Sequence, residues 1–300
     1  MKKSILSFIV LLIFGCKQKN QPNDLLKVVT TTTMITDLVT NIGGQEIKIQ
    51  GLMGSGVDPH LYKASEGDVT KLVNADIIFF NGLHLEGKLV EVFEKMSNKT
   101  PIALAEEIDK STLIGSDYFA SNFDPHVWFN IEYFKLFAHK VAEVLSEKDP
   151  KNASVFLKNK TIYIEKLDIL QRNIRASINM LPKDRRVLVT AHDAFNYFGK
   201  IYGFEVVGLQ GLSTATEAGV KDVQKLAAFI IEKQVNAIFI ESSVPRRTIE
   251  ALQAAVNSKG HDVIIGGTLY SDALGNKDTF EGTYIGMFQH NVNTIVNALQ

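Results

Sequence analysis

Residues 149–181, DPKNASVFLKNKTIYIEKLDILQRNIRASINML, decide the fold because one continuous helical pattern fills the middle of the chain. Asp149 suits a helix N-cap, Pro150 suits the first helical position, and Pro182 ends the pattern. About 30 helical residues span roughly 45 Å, so we expect one rigid helix along two lobes, which opposes wide hinge motion. The alternative is an ordinary domain helix followed by a loop. The apolar residues with three- and four-residue spacing are Val155, Tyr163, Leu167, Leu170, Ile174, Ile178 and Leu181.

On both sides of this helix, strand-like apolar segments alternate with helical segments. The apolar segments lack alternating polar residues, which suits parallel strands covered on both faces. Two such blocks predict an α/β fold of two βα sandwich lobes with mainly parallel sheets, joined by one long α-helix. Predicted strands are 27–32, 47–52, 76–81, 101–104, 186–190, 205–209, 237–241 and 262–265, and predicted helices are 34–42, 66–74, 193–202, 221–233 and 245–257.

The beginning of the chain has the pattern of a bacterial export signal. Two lysines precede an apolar run at residues 5–14, and Gly15-Cys16 follows it. The run is too short to span a bilayer, which needs roughly 20 residues. The alternative, a buried helix or a free N-terminal anchor, rarely begins with two lysines. Cys16 resembles a lipoprotein cleavage and acylation site, although Ile13 and Phe14 depart from the usual Leu and small residue.

These patterns divide the chain into five segments. We expect a signal peptide at 1–16, a polar, Pro-containing tether at 17–25, and an N-terminal lobe at 26–148. The connecting helix occupies 149–182 and the C-terminal lobe 183–300. An acylated Cys16 would attach the exported protein to the lipid bilayer on the periplasmic side or at the outer surface of the cytoplasmic membrane.

The composition excludes several classes of protein. The 300 residues are 45% hydrophobic and carry a net charge of −1, with no basic stripe that would suggest nucleic acid. Cys16 is the only cysteine, so the chain forms no intrachain disulfide. We expect a monomer.

Three histidines and one aspartate stand beside predicted strands. His60 follows the second strand, His126 lies in a similar Asp-Pro-His segment, and His192 follows the first strand of the second block. In open α/β sheets, ligands bind outside the carboxyl ends of strands, so these side chains would face an interlobe cleft. Asp272 follows the last strand and could complete the set.

Three imidazoles and one carboxylate suit zinc, which prefers four ligands of this type. A proline before His60 and before His126 fixes the backbone there, and the preceding Asp could accept the second imidazole N–H. Separations of 66 residues match no compact zinc motif, and a lone histidine is more often a surface or core residue than a ligand. That interpretation is kept for His84, His139, His261 and His290.

At these residues the chain resembles the zinc/manganese substrate-binding lipoproteins of bacterial ABC transporters, over nearly all of the mature chain. The resemblance implies two lobes joined by one long helix, no enzymatic activity, and delivery of the metal to a membrane permease. It also implies metal ligation by His60, His126, His192 and Asp272. The segments that carry it are DPHLY (58–62), AD…NGLHLE (75–86), DPHVW (124–128), TAHDAF (190–195), GLST (211–214) and LYSD (269–272).

The expected metal is zinc, with manganese or iron as the alternative. Manganese-type members usually place Glu where His192 stands, and imidazole is softer than carboxylate. Against zinc, residues 108–123 lack the His-rich loop of many zinc members. The segment Phe129-Asn130-Ile131 departs from the family's Leu-Asp-Pro, but Asn130 can still cap the following helix.

Three other functions fit the sequence less well. A zinc hydrolase would keep an open coordination position for water, which four protein ligands would close, and no His-Glu-x-x-His or Gly-x-Ser-x-Gly segment is present. An adhesin would need a surface for another protein, and the sequence contains no adhesive patch. A receptor for an organic metal chelate would need a larger pocket with more aromatic or Arg lining.

Overall fold

The computed structural model describes residues 25–96, 100–116 and 119–300. The predicted signal peptide, Cys16 and nearly all of the tether lie outside the described residues. The described chain forms two α/β lobes, and helix α5 (Ala153–Ile178) runs beside both of them. Among the described helices, none is both long enough and apolar enough to cross a membrane.

The first lobe contains one four-stranded parallel sheet in the order β2-β1-β3-β4. Side chains cap three of its four helices. The prediction for Asn130 is confirmed, because its side chain accepts a hydrogen bond from the Glu132 amide. Strands are β1 (Leu26–Thr30), β2 (Ile47–Gly51), β3 (Ile77–Phe80) and β4 (Ile102–Ala103). Helices are α1 (Thr33–Gly43), α2 (Glu66–Asn74), α3 (Gly87–Glu94) and α4 (Ile131–Lys148).

The second lobe contains two parallel strand pairs that lie side by side. β5 (Val187–His192) pairs with β6 (Glu205–Gln210), and β7 (Ala237–Glu241) pairs with β8 (Ile264–Leu269). The helices are α6 (Asn196–Tyr202), α7 (Val220–Glu232), α8 (Arg247–Asn257) and α9 (Tyr284–Leu299). The prediction of parallel strands is confirmed in both lobes, so the carboxyl ends of the strands meet at the cleft.

The connecting helix is shorter than predicted. Helix α5 has 26 residues, and Pro150–Asn152 form a separate 3-10 turn before it. Asp149 does not cap this helix. Its backbone N–H donates to the Leu145 carbonyl at the end of the preceding helix, and its carboxylate accepts a hydrogen bond from the Asn152 side-chain amide. At the other end, Leu181 lies beyond the helix in a tighter turn, in which its backbone N–H donates to the Ile178 carbonyl. At 1.5 Å per residue, α5 still spans about 39 Å.

One continuous core joins the two lobes. Tyr284 at the start of α9 stacks on Phe134 of α4, with 3.9 Å between the ring centroids. Its hydroxyl donates to the Trp128 carbonyl at 2.6 Å, and the Trp128 indole donates to the Ser271 carbonyl at 3.0 Å. These buried aromatic contacts hold the loops that carry His126 and Asp272 against each other.

Candidate metal centre

Four side chains from four separate loops or strand ends meet between the lobes. His60 follows β2, His126 precedes a 3-10 turn, His192 is the last residue of β5, and Asp272 follows β8. Each offers one ligand atom, and these atoms all lie within 4.8 Å of one another. His60 is 6% exposed and the other three are 1% exposed or less. The structure therefore brings together all four residues that the sequence suggested.

The separations between these atoms suit a small ion. Nε2 of His60 lies 3.3 Å from Nε2 of His126. Oδ1 of Asp272 lies 3.5 Å from His126 Nε2, and Oδ2 of Asp272 lies 3.2 Å from His192 Nε2. Four ligand atoms at about 2.0–2.1 Å around a tetrahedral ion are about 3.3 Å apart. These three separations are close to that value, and all four ligand atoms lie within 4.8 Å of one another, so the cluster has the size of a site for one ion.

His126 is oriented by the aspartate two residues before it. The Nδ1–H of His126 donates to Asp124 Oδ1 at 2.8 Å, which leaves Nε2 free to face the site. The other carboxylate oxygen of Asp124 accepts from Asn196 at 3.0 Å, and its backbone carbonyl accepts from the Tyr197 hydroxyl. The predicted contact between an Asp-Pro-His aspartate and its imidazole is confirmed for His126.

The same prediction is wrong for His60. Asp58 Oδ1 accepts the backbone N–H of His60 at 2.8 Å instead of its imidazole. Asp58 Oδ2 accepts from the Thr214 hydroxyl of the second lobe at 2.5 Å, and this bond directs the carboxylate away from the ring. Burial lowers the pKa of His60 to about 3, against the attraction of Asp272, so its imidazole is neutral and ready to bind a metal.

His192 has an acidic partner that the sequence analysis missed. Glu241 Oε2 lies 2.7 Å from His192 Nδ1, and Glu241 Oε1 accepts the His192 backbone N–H at 2.9 Å. Burial lowers the pKa of His192, but Glu241 and Asp272 outweigh it and place the pKa well above its ordinary value. One feature of the sequence could have indicated this contact. Glu241 is a charged residue at the end of the otherwise apolar strand β7, which lies beside the strand that ends at His192.

The site contains more acidic than cationic groups in its metal-free form. Burial raises the pKa of Asp272, but the nearby His192 and the more distant His60 and His126 lower it below its usual value. Three carboxylates, those of Asp124, Glu241 and Asp272, contact the imidazoles. These buried carboxylates favour a divalent cation among the imidazoles, in place of the proton on His192.

The remaining histidines lie apart from this cluster. His84 is exposed, and His139 lies within α4. The imidazole nitrogens of His261 and His290 contact the backbone carbonyls of Val235 and Thr268. The interpretation of these four as surface or packing residues agrees with their positions.

Comparisons with known proteins give matches over nearly the whole described chain. Residues 28–298 match the family described as the periplasmic zinc-uptake complex component A. The manganese-binding lipoprotein MntA of Bacillus subtilis is 50% identical over 276 residues, which cover 92% of this chain and 90% of MntA. The zinc-binding protein TroA of Treponema pallidum is 50% identical over 273 residues, which cover 91% of this chain and 88% of TroA.

The fold is also similar to a solved structure. The periplasmic zinc-binding protein TroA of Treponema pallidum superposes with a TM-score of 0.88 at 50% sequence identity. The match covers 91% of this chain and 98% of the TroA chain. The prediction of two α/β lobes with one long helix is therefore confirmed by the strands and helices and by this likeness.

Proposed function

This chain belongs to the family of periplasmic zinc-uptake complex component A, and on that premise we propose that it captures a divalent transition metal outside the cytoplasm. It delivers the ion to the permease of an ABC importer. Relatives support this role, among them the metal ABC transporter substrate-binding lipoprotein FimA of Streptococcus parasanguinis, 32% identical over 313 residues.

The ion is held by His60, His126, His192 and Asp272. The observation that carries this assignment is the set of four buried ligand atoms within 4.8 Å, each from a different loop or strand end. Isolated charges and unpaired polar atoms are unfavourable in a protein interior, and a divalent cation satisfies all four groups at once.

Zinc is the metal that this geometry favours. Three imidazole nitrogens and only one carboxylate oxygen suit zinc, and the separations of 3.2–3.5 Å within three of the ligand pairs are close to those around a tetrahedral ion. Manganese prefers more oxygen ligands and a higher coordination number.

Manganese is the second candidate because MntA, a relative at 50% identity, is manganese-binding by name. Affinity in vitro does not separate the two metals, since zinc binds more tightly than manganese to nearly any nitrogen- and oxygen-containing site. The decisive experiment is the metal content of the protein purified from its native host, measured by mass spectrometry with zinc, manganese and iron supplied together. Zinc in near-stoichiometric amount supports the assignment, and manganese or iron in its place overturns it.

A receptor fits the site better than the other functions. The four protein ligands close a tetrahedral shell and leave no position for a catalytic water. The ligand atoms are also too close together to admit an organic chelate. We expect the purified protein to bind one ion without a chelator and to show no hydrolytic turnover.

Membrane attachment, chain division and assembly are proposed from the sequence. We place a lipid anchor at Cys16, a tether at 17–25, lobes at 26–148 and 183–300, a connecting segment at 149–182 that contains helix α5, and a monomer in solution. Cys16 takes no part in metal capture, because acylation consumes the thiol and four other ligands complete the site.

A Cys16→Ser variant should leave the membrane fraction or remain unprocessed while its folded part binds zinc normally. Processed protein that stays in the membrane, or loss of zinc binding, would contradict the assignment.

A further inference from the structure

His192 is held between two neighbouring strands, because β5 lies between β6 and β7. On the β7 side, Glu241 accepts the backbone N–H of His192 and contacts a ring nitrogen. On the β6 side, Gly208 lies against the peptide bond that joins His192 to Asp193. The first side orients the imidazole, and the second side controls the path of the chain directly after it.

Gly208 leaves space that no other residue would leave. A Cβ at this position would lie 2.5 Å from both the His192 carbonyl carbon and the Asp193 nitrogen, well inside van der Waals contact. Both atoms belong to the backbone, so no side-chain rotation would relieve the overlap. Gly208 does not have a positive φ, so space and not backbone conformation requires a glycine here.

The peptide between His192 and Asp193 is also fixed by hydrogen bonds at both of its polar atoms. The His192 carbonyl accepts from the Thr190 hydroxyl at 2.8 Å and from the Ala194 N–H at 2.9 Å. The Asp193 N–H donates to the Gly211 carbonyl at 3.2 Å. Thr190 and His192 are fully buried, so a displaced peptide would leave polar atoms without partners and without water.

The carboxylate of Asp193 ties this peptide to β6. Its Oδ1 accepts the Gly208 N–H at 2.7 Å, so Asp193 bonds the same residue that its backbone crosses. This contact also requires a glycine, since a Cβ at Gly208 would lie 2.7 Å from that oxygen. The backbone on the amino side of His192 is thus anchored to β7, and the backbone on its carboxyl side is anchored to β6.

We propose that Gly208 and Asp193 are positioning residues for the metal, which set the place of the His192 imidazole by holding the peptide after it against β6. The inference rests on the proposed function, since it requires His192 as a metal ligand. Ordinary contacts begin at 3.4 Å, so a methyl group at Gly208 would displace the peptide by about 0.9 Å, beyond the roughly 0.5 Å within which a binding side chain must be held. Nε2 of His192 would then miss its distance of about 2.0 Å from zinc.

The first experiment compares two glycines of the same segment in the full chain. Gly208→Ala should weaken zinc binding by at least about tenfold, the lower end for loss of a partner that orients a metal-binding histidine. Gly211→Ala is the matched control, because Gly211 also lacks a positive φ and a Cβ there would meet nothing within 4 Å. Its Kd, from competition with a chromophoric chelator, should stay within about twofold of the parent value.

A double-mutant cycle shows whether the effect passes through His192. When His192→Ala removes the imidazole, the place of that residue no longer matters, so Gly208→Ala should add no further loss of zinc affinity. A general loosening of the fold would instead weaken zinc binding by the same factor with and without the imidazole. A weaker competing chelator measures the Kd of the His192→Ala pair.

A second pair of variants tests Asp193. Asp193→Asn and Asp193→Ala both remove the negative charge, but only Asn keeps an oxygen that can accept the Gly208 N–H. The difference between them therefore measures the contact with Gly208 apart from the charge. Asp193→Ala should bind zinc about fivefold more weakly than Asp193→Asn, the order expected for one hydrogen bond.

The outcomes are distinct. Parent-like zinc affinity in folded Gly208→Ala overturns the proposal, as does an equal loss in the presence and absence of the His192 imidazole. If Gly208→Ala does not fold, the Asp193 pair decides, and equal Kd values for Asp193→Ala and Asp193→Asn overturn the proposal. A parent protein that binds no zinc, manganese or iron would instead overturn the proposed function itself.

Discussion

The two halves of the metal centre differ in charge and in what holds them. The first lobe supplies His60 and His126, and burial keeps the His60 pKa at about 3. The second lobe supplies His192 and Asp272, with Glu241 2.7 Å from the other nitrogen of His192. In the first half a bound metal would meet a neutral imidazole, whereas in the second it would have to replace the proton that two carboxylates stabilise on His192.

The halves also differ in their supporting contacts. Glu241 belongs to the same lobe as His192 and accepts its backbone N–H, so the second half is complete within one lobe. The carboxylates beside the first-lobe histidines, Asp58 and Asp124, accept hydrogen bonds from Thr214 and Asn196 of the second lobe. The first half therefore reaches its observed arrangement only when the lobes are in contact.

The largest effects are expected from removal of one histidine in each half. His60→Ala and His192→Ala should each weaken zinc binding by more than the roughly 100-fold that loss of an outer partner can cause, because each ligand comes from a different lobe. Chelator competition measures this, with His84→Ala, an exposed histidine, as the control. Parent-like affinity in either variant would disprove the site.

These two variants should differ in the metal-free protein. His192→Ala leaves the buried carboxylates of Glu241 and Asp272 without the cation between them, so its free energy of unfolding should fall more than that of His60→Ala. Urea unfolding in the presence of a chelator measures both. Equal losses would contradict the difference in charge between the halves.

The meeting of the four proposed ligands could be predicted from the sequence, but most of their hydrogen-bond partners could not. Parallel strands place the residues after their carboxyl ends at one edge of a sheet, and this rule brought His60, His192 and Asp272 together. The contact between Asp124 and His126 could be predicted because the two residues are only two positions apart in the sequence. Glu241 is 49 residues from His192, and their contact depends on the lateral order of β5 and β7, which periodicity does not reveal.

The sequence also left the helix ends and the interlobe contacts uncertain. The helical spacing of apolar residues does not distinguish α5 from the turns at Pro150 and Leu181. It therefore could not show that α5 begins at Ala153 and ends at Ile178. Asp58 and Asp124 each stand two residues before a histidine, which suggested equal roles for them. However, the Thr214 hydroxyl, 156 residues from Asp58, donates to the Asp58 carboxylate and draws it away from the His60 imidazole. Strand β7, in contrast, occupies the predicted residues because its apolar run ends abruptly at Glu241.

A smaller effect is expected when Glu241 loses its charge. Glu241→Gln should weaken zinc binding by about 10–100-fold, the usual range for a partner that orients a metal-binding histidine. Asp124→Asn is the matched change in the first half and should fall in the same range. An effect below twofold in either would mean that burial alone orients that imidazole.

Proton release distinguishes the halves further. The pKa of His192 lies well above 6.5, so near pH 7 a zinc ion displaces a proton there, whereas neutral His60 supplies none. Zinc affinity should fall by up to about tenfold per pH unit as the pH is lowered below the His192 pKa. Calorimetry in buffers of different ionisation enthalpy should find about one proton released per zinc in the parent and fewer in Glu241→Gln.

The same pKa shifts act in opposite directions on the metal-free protein. The raised pKa of His192 stabilises the fold below the unfolded-state value of 6.5, and this contribution is lost as the pH rises through the folded-state pKa. The lowered pKa of His60 destabilises the fold as the pH falls from 6.5 towards 3, by at most about 1.4 kcal/mol per pH unit. His60→Ala should therefore lose part of the acid sensitivity in urea unfolding, and an unchanged pH profile would contradict the assigned pKa.

The smallest effect is expected at the hydrogen bond that links the halves. Thr214→Val removes the hydroxyl that donates to Asp58 and keeps the branched shape of the side chain. Both residues are only half-buried, so water can replace the donor, and the free energy of unfolding should fall by about 1 kcal/mol. Because Asp58 also holds the backbone of His60, zinc release should be a few-fold faster while proton release at His192 stays unchanged.

Ser213→Ala, which removes a hydroxyl that accepts a hydrogen bond from the nearby Ala215 amide, is the matched control. It should change neither the free energy of unfolding nor the rate of zinc release. If Thr214→Val released zinc at the parent rate, the first half would hold its arrangement without the second lobe, and the supposed dependence of one half on the other would be wrong.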